Sequence, residues 1–230
     1  MTASPPLRLL VVGYGRMGRL VEALAGEYSM AVAGRVDIDN AAQPESWPDA
    51  DVAIDFSTAS AVVENASRLA ARGTHLVIGT TGWQDHEAAL KKAVAPYPVG
   101  VVAAPNFALG VNIFLAIAAR AAELMAPRPE FGAWVHEMHH RAKVDAPSGT
   151  ALAIKDAMVR AGYTASIDMA STRVGSIPGT HTVGFDSAAD TITLTHTTRD
   201  RSVFARGALE AARWVHGRRG WFTMKDVLGL

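Results

Sequence analysis

Cysteine is absent from all 230 residues. That excludes disulfides, thiolate-bound zinc, iron–sulfur clusters and thiol nucleophiles, so any chemistry here rests on nitrogen and oxygen groups. A surplus of either charge is missing too, since Lys+Arg and Asp+Glu both number 22. A general nucleic-acid binder needs excess basic charge to neutralise phosphates, so nucleic acid is not an expected partner, although a local basic pocket stays compatible. Long apolar runs are lacking as well. The lead Met1-Thr2-Ala3-Ser4-Pro5-Pro6 has no signal-peptide character, and Leu9 to Val12 is far too short to span a bilayer. The expectation is a soluble, cytoplasmic protein with no membrane partner. What is present suits a folded enzyme: 49% apolar residues against 19% charged, in a chain long enough for one large domain or two small ones.

The first half alternates. Apolar runs at Arg8–Val12, Ala31–Val36, Asp51–Ile54, His75–Ile78 and Val99–Ala103 read as strands, with helical patterns after Gly18, over Ser60–Ala71 and over Asp85–Ala95. Each strand opens into a Gly, Ser, Thr or Asn turn. This predicts an α/β fold with an N-terminal Rossmann-type, doubly wound parallel sheet, whose ligands sit outside the carboxyl ends of the strands. After Phe107 the texture changes. A long apolar helix (Gly110–Met125) leads to a strand (Phe131–Met138), a helix (Ser148–Ala161) and three further strands at Ala170–Val174, His181–Asp186 and Thr191–Thr198. A helix follows at Phe204–Val215. The second unit is therefore a smaller α+β domain with an open mixed sheet.

Gly13-Tyr14-Gly15-Arg16-Met17-Gly18 has the G-x-G-x-x-G form, between a strand and a helix. Its glycines serve a tight turn, close approach of backbone to a pyrophosphate, and helix–strand packing. Asp37 ends the next strand, nineteen residues after Gly18, where a carboxylate accepts from adenosine ribose hydroxyls. The cofactor expectation is NADH or NADPH, leaning to NADH because Asp37 repels a 2′-phosphate and Ile38 follows it. Arg16 and Arg35 leave dual use open. Gly79-Thr80-Thr81 and Ala104-Pro105-Asn106-Phe107 end the fourth and fifth strands, where a nicotinamide would border them. Ordinary turns use the same residues, and the two readings weigh equally.

His136-Glu137-x-x-His140 matches the zinc-protease pattern, but that mechanism needs a helix and these flanks read as a strand, so no metal site is expected. His139, His140 and Lys143 crowd positive charge ahead of the helix start at Pro147-Ser148-Gly149-Thr150. Such crowding calls for an anion, and a helix start offers unpaired N–H groups and a positive dipole end. His139 suits a general acid and Lys143 a stabiliser of developing negative charge. His181, His196, Arg199 and Arg201 read singly as solvated strand edges.

With these pieces in place, the chain resembles the 4-hydroxy-tetrahydrodipicolinate reductase (dihydrodipicolinate reductase) family. The most specific stretch is His139-His140-Arg141-Ala142-Lys143-Val144-Asp145-Ala146-Pro147-Ser148-Gly149-Thr150-Ala151. Supporting matches are Gly15–Gly18, Val52–Ser57, Gly79–Thr81, Asn106–Asn112, Gly175–His181, Arg201–Ala208 and Met224–Gly229. The resemblance implies hydride transfer from NADH or NADPH to a small cyclic dicarboxylate in the diaminopimelate–lysine pathway. By the same resemblance His139 donates the proton with Lys143 as partner, and His140, Lys143, Ser148, Gly149 and Thr150 hold carboxylates. It also implies a homotetramer assembled through a second domain (107–204), with 205–230 returning to a first domain (1–106). Two departures stand out: a glycine loop one residue shorter than usual, and a short stretch from Arg35 to Asp51. The rivals are another two-domain dehydrogenase of a small acid and a non-catalytic nicotinamide sensor. Neither needs the 139–150 stretch.

Overall fold

Five apolar runs of the first half become five adjacent parallel strands: β1 (Leu7–Val12), β2 (Met30–Val36), β3 (Val52–Asp55), β4 (His75–Ile78) and β5 (Gly100–Ala103). The computed structural model describes residues 5–230, which form two compact units. One takes the chain up to Leu109 together with Ser202–Leu230; the other is Gly110–Arg201.

In the first unit the strand order is β2-β1-β3-β4-β5-β10, where β10 is Gly220–Phe222 and every pairing is parallel. Strand β3 shows why. All four of its residues are buried, as expected of a strand covered on both faces. Helices α1 (Arg16–Ala25), α2 (Val62–Ala71), α3 (Glu87–Val94) and α6 (Ser202–Val215) supply the cover. Leu9, Val11, Ile54 and Val77 pack with Val21 of α1 and Leu209 of α6, while Leu10, Val12, Ala53 and Leu76 pack with Leu69 of α2 and Leu90 of α3. The chain passes from β1 to β2 on one side and then to β3 on the other. The switch point therefore lies between the tips of β1 and β3, the place where such sheets bind ligands.

Strand β10 and the last helix, α7 (Met224–Leu228), escape the periodicity reading. Three residues cannot show alternation. The helix had a signal, however: Thr223-x-x-Asp226 forms a capping box, with the Thr223 N–H donating to Asp226 at 2.7 Å.

The second unit carries α4 (Leu109–Met125), β6 (Gly132–His139), α5 (Gly149–Arg160), β7 (Ile167–Arg173), β8 (Thr180–Asp186) and β9 (Thr191–Thr197). The sheet order is β7-β6-β8-β9, with β6 parallel to β7 and the other pairs antiparallel. It is thus mixed, with β7 beginning three residues earlier than the sequence suggests. In β6 the odd positions Ala133, Val135, Glu137 and His139 are buried, while Trp134, His136 and Met138 are half-buried and Gly132 is exposed. The first two join Val183, Phe185, Phe114, Ile154 and Met158 in the core. The last two continue the same face with a carboxylate and an imidazole. Strand β9 is antiparallel to β8 and largely exposed, with Ile192 at 38%.

Candidate active site

At the tip of β1, Gly13 adopts φ +84°, which favours glycine, and a Cβ there would lie 2.5 Å from the Phe56 carbonyl oxygen at the tip of β3. A side chain on Gly18 would run into the Gly13 carbonyl, so α1 packs directly on the turn. Gly15 is the N-cap of α1 and has open space where its Cβ would be. No side chain caps this helix, and its first turn holds no acid. An uncapped helix start behind a bare glycine fits the pyrophosphate of a dinucleotide. Arg16 is exposed at this start, Tyr14 and Met17 half-buried.

Asp37 and Ile38 are exposed just past β2. The tips of β4 and β5 divide their residues between solvent and core. Thr81 and Pro105 are exposed, and Gly79, Ala104 and Asn106 half-buried. Thr80 is buried, its hydroxyl donating to Asp55 at 2.8 Å, and Phe107 is buried edge-on to Phe56. Asp55, missed from sequence, also accepts from the Ser57 N–H (2.9 Å) and hydroxyl (2.7 Å), tying the tips of β3 and β4 together.

In the second unit, register builds a charged network from distant residues. Glu137 lies opposite His181 on β8 and beside Ser171 on β7, while His139 lies beside Arg173. The fully buried Glu137 carboxylate accepts a two-pronged donation from Arg173, at 2.6 and 3.0 Å. It also bonds His139 Nδ1 and accepts from the Ser148 N–H at 3.2 Å. Ser148, the N-cap of α5, accepts from the Ala151 N–H and lies 3.2 Å from His181 Nε2. The His139 and His181 rings stand edge to face, with centroids 5.1 Å apart.

Burial alone would push the Glu137 carboxyl up. Donation from Arg173, Ser171 and His139 outweighs it and holds the group at about 2. Burial pulls His139 below the ordinary histidine value, opposed by Glu137 and aided by Lys143 and Arg173. His181, more deeply buried and facing His139, falls to about 4. The pattern is one fixed carboxylate orienting one titratable imidazole. Glu137, His139 and His181 also sit close enough to hold a cation. The Arg173 fork, which already neutralises the carboxylate, opposes that use.

The positive cluster already has a partner within the chain. Lys143 Nζ donates to Asp145 at 2.7 Å, and Asp145 also accepts from the Gly149 N–H. His140 and Thr150 are half-buried nearby in sequence, and Gly149 is exposed. In the sequence Glu137 shows only within a metal pattern, and neither Arg173 nor the role of His181 shows at all. A strand signal for the first existed: positions 137 and 139 share one face of any strand through them.

Comparison with known proteins gives one answer. Residues 7–107 match the family model for the N-terminus of dihydrodipicolinate reductase, and 110–228 the model for its C-terminus. The protein named 4-hydroxy-tetrahydrodipicolinate reductase of Acidiphilium cryptum is 41% identical over 97% of this chain and 98% of its own. Its namesake in Christiangramia forsetii is 32% identical over 96% and 98%. Among solved structures, the dipicolinate-bound dihydrodipicolinate reductase of Paenisporosarcina sp. TG-14 shares the fold. Its TM-score is 0.79 over 95% of this chain and 97% of that one, at 21% identity. Aspartate dehydrogenase from Thermotoga maritima shares it more loosely, at TM-score 0.51 and 11% identity. Both halves of the chain, and nearly its whole length, thus place it in the dihydrodipicolinate reductase family, NAD(P)H-dependent oxidoreductases of diaminopimelate and lysine biosynthesis.

Proposed function

We propose that His139 and Lys143 are the catalytic pair for reduction of 4-hydroxy-tetrahydrodipicolinate, or its dehydrated dihydrodipicolinate form, to tetrahydrodipicolinate. One observation carries the reading: a buried Glu137–His139 pair set next to Lys143 at the start of α5. Net reduction adds one hydride and one proton across a conjugated ring, and water leaves first when the 4-hydroxy form enters. Bound to the first unit, the reduced nicotinamide supplies the hydride. His139 supplies the proton as an imidazolium: its Nδ1–H donates to Glu137, which orients the ring and stabilises its charge, and Nε2–H is the acid. Lys143 stabilises negative charge as it develops. His140, Lys143, Ser148, Gly149 and Thr150 hold the ring carboxylates, one of which takes the place of Asp145 at Lys143 and Gly149. The dipicolinate complex of the structural relative supports a planar dicarboxylate of this kind.

Gly13 to Gly18 grip the pyrophosphate, Asp37 the adenosine ribose, and the tips at Gly79–Thr81 and Ala104–Phe107 border the nicotinamide. Asp37 followed by Ile38 favours NADH. The chain works in the cytoplasm, consistent with the absence, among the described residues, of any helix long and apolar enough to cross a membrane. It assembles as a homotetramer through the half-buried face of the four-stranded sheet bearing Trp134, His136 and Met138.

The test is oxidation of NADH and NADPH, with substrate made in situ from pyruvate and aspartate semialdehyde by the preceding synthase. Substrate-dependent turnover, faster with NADH, is expected. Nucleotide binding without turnover would favour a sensor.

A further inference from the structure

Tyr14 stands between the first two glycines of the nucleotide loop, and its side chain turns along α1. Its hydroxyl bonds Glu22, a helix residue. Arg35, near the end of β2, reaches the same carboxylate: Nε lies 3.1 Å from each oxygen and a terminal nitrogen bonds Oε1. The guanidinium also lies 4.6 Å from the centre of the Tyr14 ring, and that of Arg19 lies 5.6 Å from it. Arg35 and then Tyr14 hold the Glu22 carboxyl below its usual range, so the pair is ionised at neutral pH. Two residues after Arg35 comes exposed Asp37, followed by Ile38 at 91% exposure.

This arrangement bears on the one chemical difference between the two nicotinamide nucleotides, the 2′-phosphate. Recognition of that dianion calls for an arginine with a free fork. Arg35 is the arginine nearest Asp37 in the chain, yet its fork is closed on Glu22, and the pair together presents no net charge. We propose that Glu22 sets nucleotide selectivity by engaging Arg35, so that NADPH is disfavoured by an occupied arginine as well as by Asp37. Glu22 acts through Arg35 and is a positioning residue. Tyr14 stacks on the guanidinium and keeps the pair in line. The inference rests on the reading that Asp37 holds the adenosine ribose.

Direct titration of the full chain with NADH and with NADPH, by calorimetry or nicotinamide fluorescence, tests it without turnover. Glu22→Gln removes the charge that binds Arg35 while keeping the side chain's size; Glu22 is half-buried and Arg35 exposed, outside the buried core. NADPH affinity is expected to rise about tenfold, the order of one released charged hydrogen bond, with NADH affinity changed by less than about threefold. Arg35→Gln in the Glu22→Gln background should reverse the gain. Arg35→Gln alone should leave the NADPH-to-NADH ratio nearly where it was. An unchanged ratio in Glu22→Gln overturns the proposal, as does a selective loss of NADPH binding in Arg35→Gln alone. Failure of the folded unsubstituted chain to bind either nucleotide would instead sink the Asp37 reading, and this proposal with it.

Discussion

The two units build their candidate sites in opposite ways. The nucleotide end uses backbone: a positive-φ glycine and a bare glycine at a helix start. The 137–150 region uses buried charge, a carboxylate shared by an arginine, a histidine and a helix-start amide. A backbone site depends on a few residues close in sequence and loses affinity by degrees. A buried network stakes stability, protonation and chemistry on the same atoms, because each unpaired member is costly in low dielectric. Substitutions should therefore separate: the nucleotide end changes binding, and the network changes everything else.

The sharpest separation is expected at His139. His139→Gln should lower kcat by about 10²- to 10⁴-fold, the range of a lost general acid, while NADH binding to the free protein stays unchanged. Steady-state kinetics beside nucleotide titration measures both. If KM alone moved, His139 would be a binding group and not the proton donor.

Next comes Glu137. Glu137→Ala takes from half-buried Arg173 its carboxylate partner, leaving it the Thr172 and Asp145 carbonyls, and should lower stability in denaturant unfolding. Glu137→Gln keeps the volume and separates fold from chemistry. Glu137 works to raise the His139 pKa, so its neutral replacement should move the alkaline limb of kcat/KM to lower pH. A uniform drop in rate with an unmoved limb would mean that Glu137 only holds the fold.

How far the sequence reached follows the same division. The parallel sheet was legible because continuous apolar runs of four to six residues admit little else when separated by helical patterns. The glycine loop and Asp37 were legible because their spacing is local. Strand β10 and helix α7 fell below what periodicity can register, although Thr223 and Asp226 spelled out a cap. Glu137 was noticed only as part of a metal pattern. Arg173 lies 36 residues from it and His181 lies 44, and only the register of β6 with β7 and β8 brings them together. Their burial, which sets their protonation, has no sequence signature at all. Asp145 shows the complementary limit: a count of positive charges around Lys143 leaves out the carboxylate two residues away.

Acid should find the network before it finds the rest. His181 is depressed from 6.5 to about 4, so the unfolded chain binds its proton first and stability falls as pH drops through that window. Glu137, depressed from 4.5 to about 2, adds loss of the same sign below it. Each contribution is on the order of 3 kcal/mol. Urea unfolding across these pH values should slope downward from about 6.5. His181→Gln should flatten the upper part of the slope and leave the lower part. If the slope survived unchanged, some other group would own it.

The smallest effect tests whether the basic cluster is held ready or held shut. Asp145 is 57% exposed at its side chain, yet it occupies both Lys143 and the Gly149 N–H, the two donors proposed for a ring carboxylate. A substrate must displace it, and what it gains at Lys143 is reduced by what Asp145 gives up. An exposed ion pair of this kind is worth about 0.2–1 kcal/mol. Asp145→Asn should therefore tighten binding of dipicolinate by no more than about fivefold. The gain should shrink with added salt, since the competition is between charges at the surface. Weaker binding in this variant would mean that Asp145 places Lys143 for the substrate, and the cluster would then be a built site in the same sense as the Glu137 network.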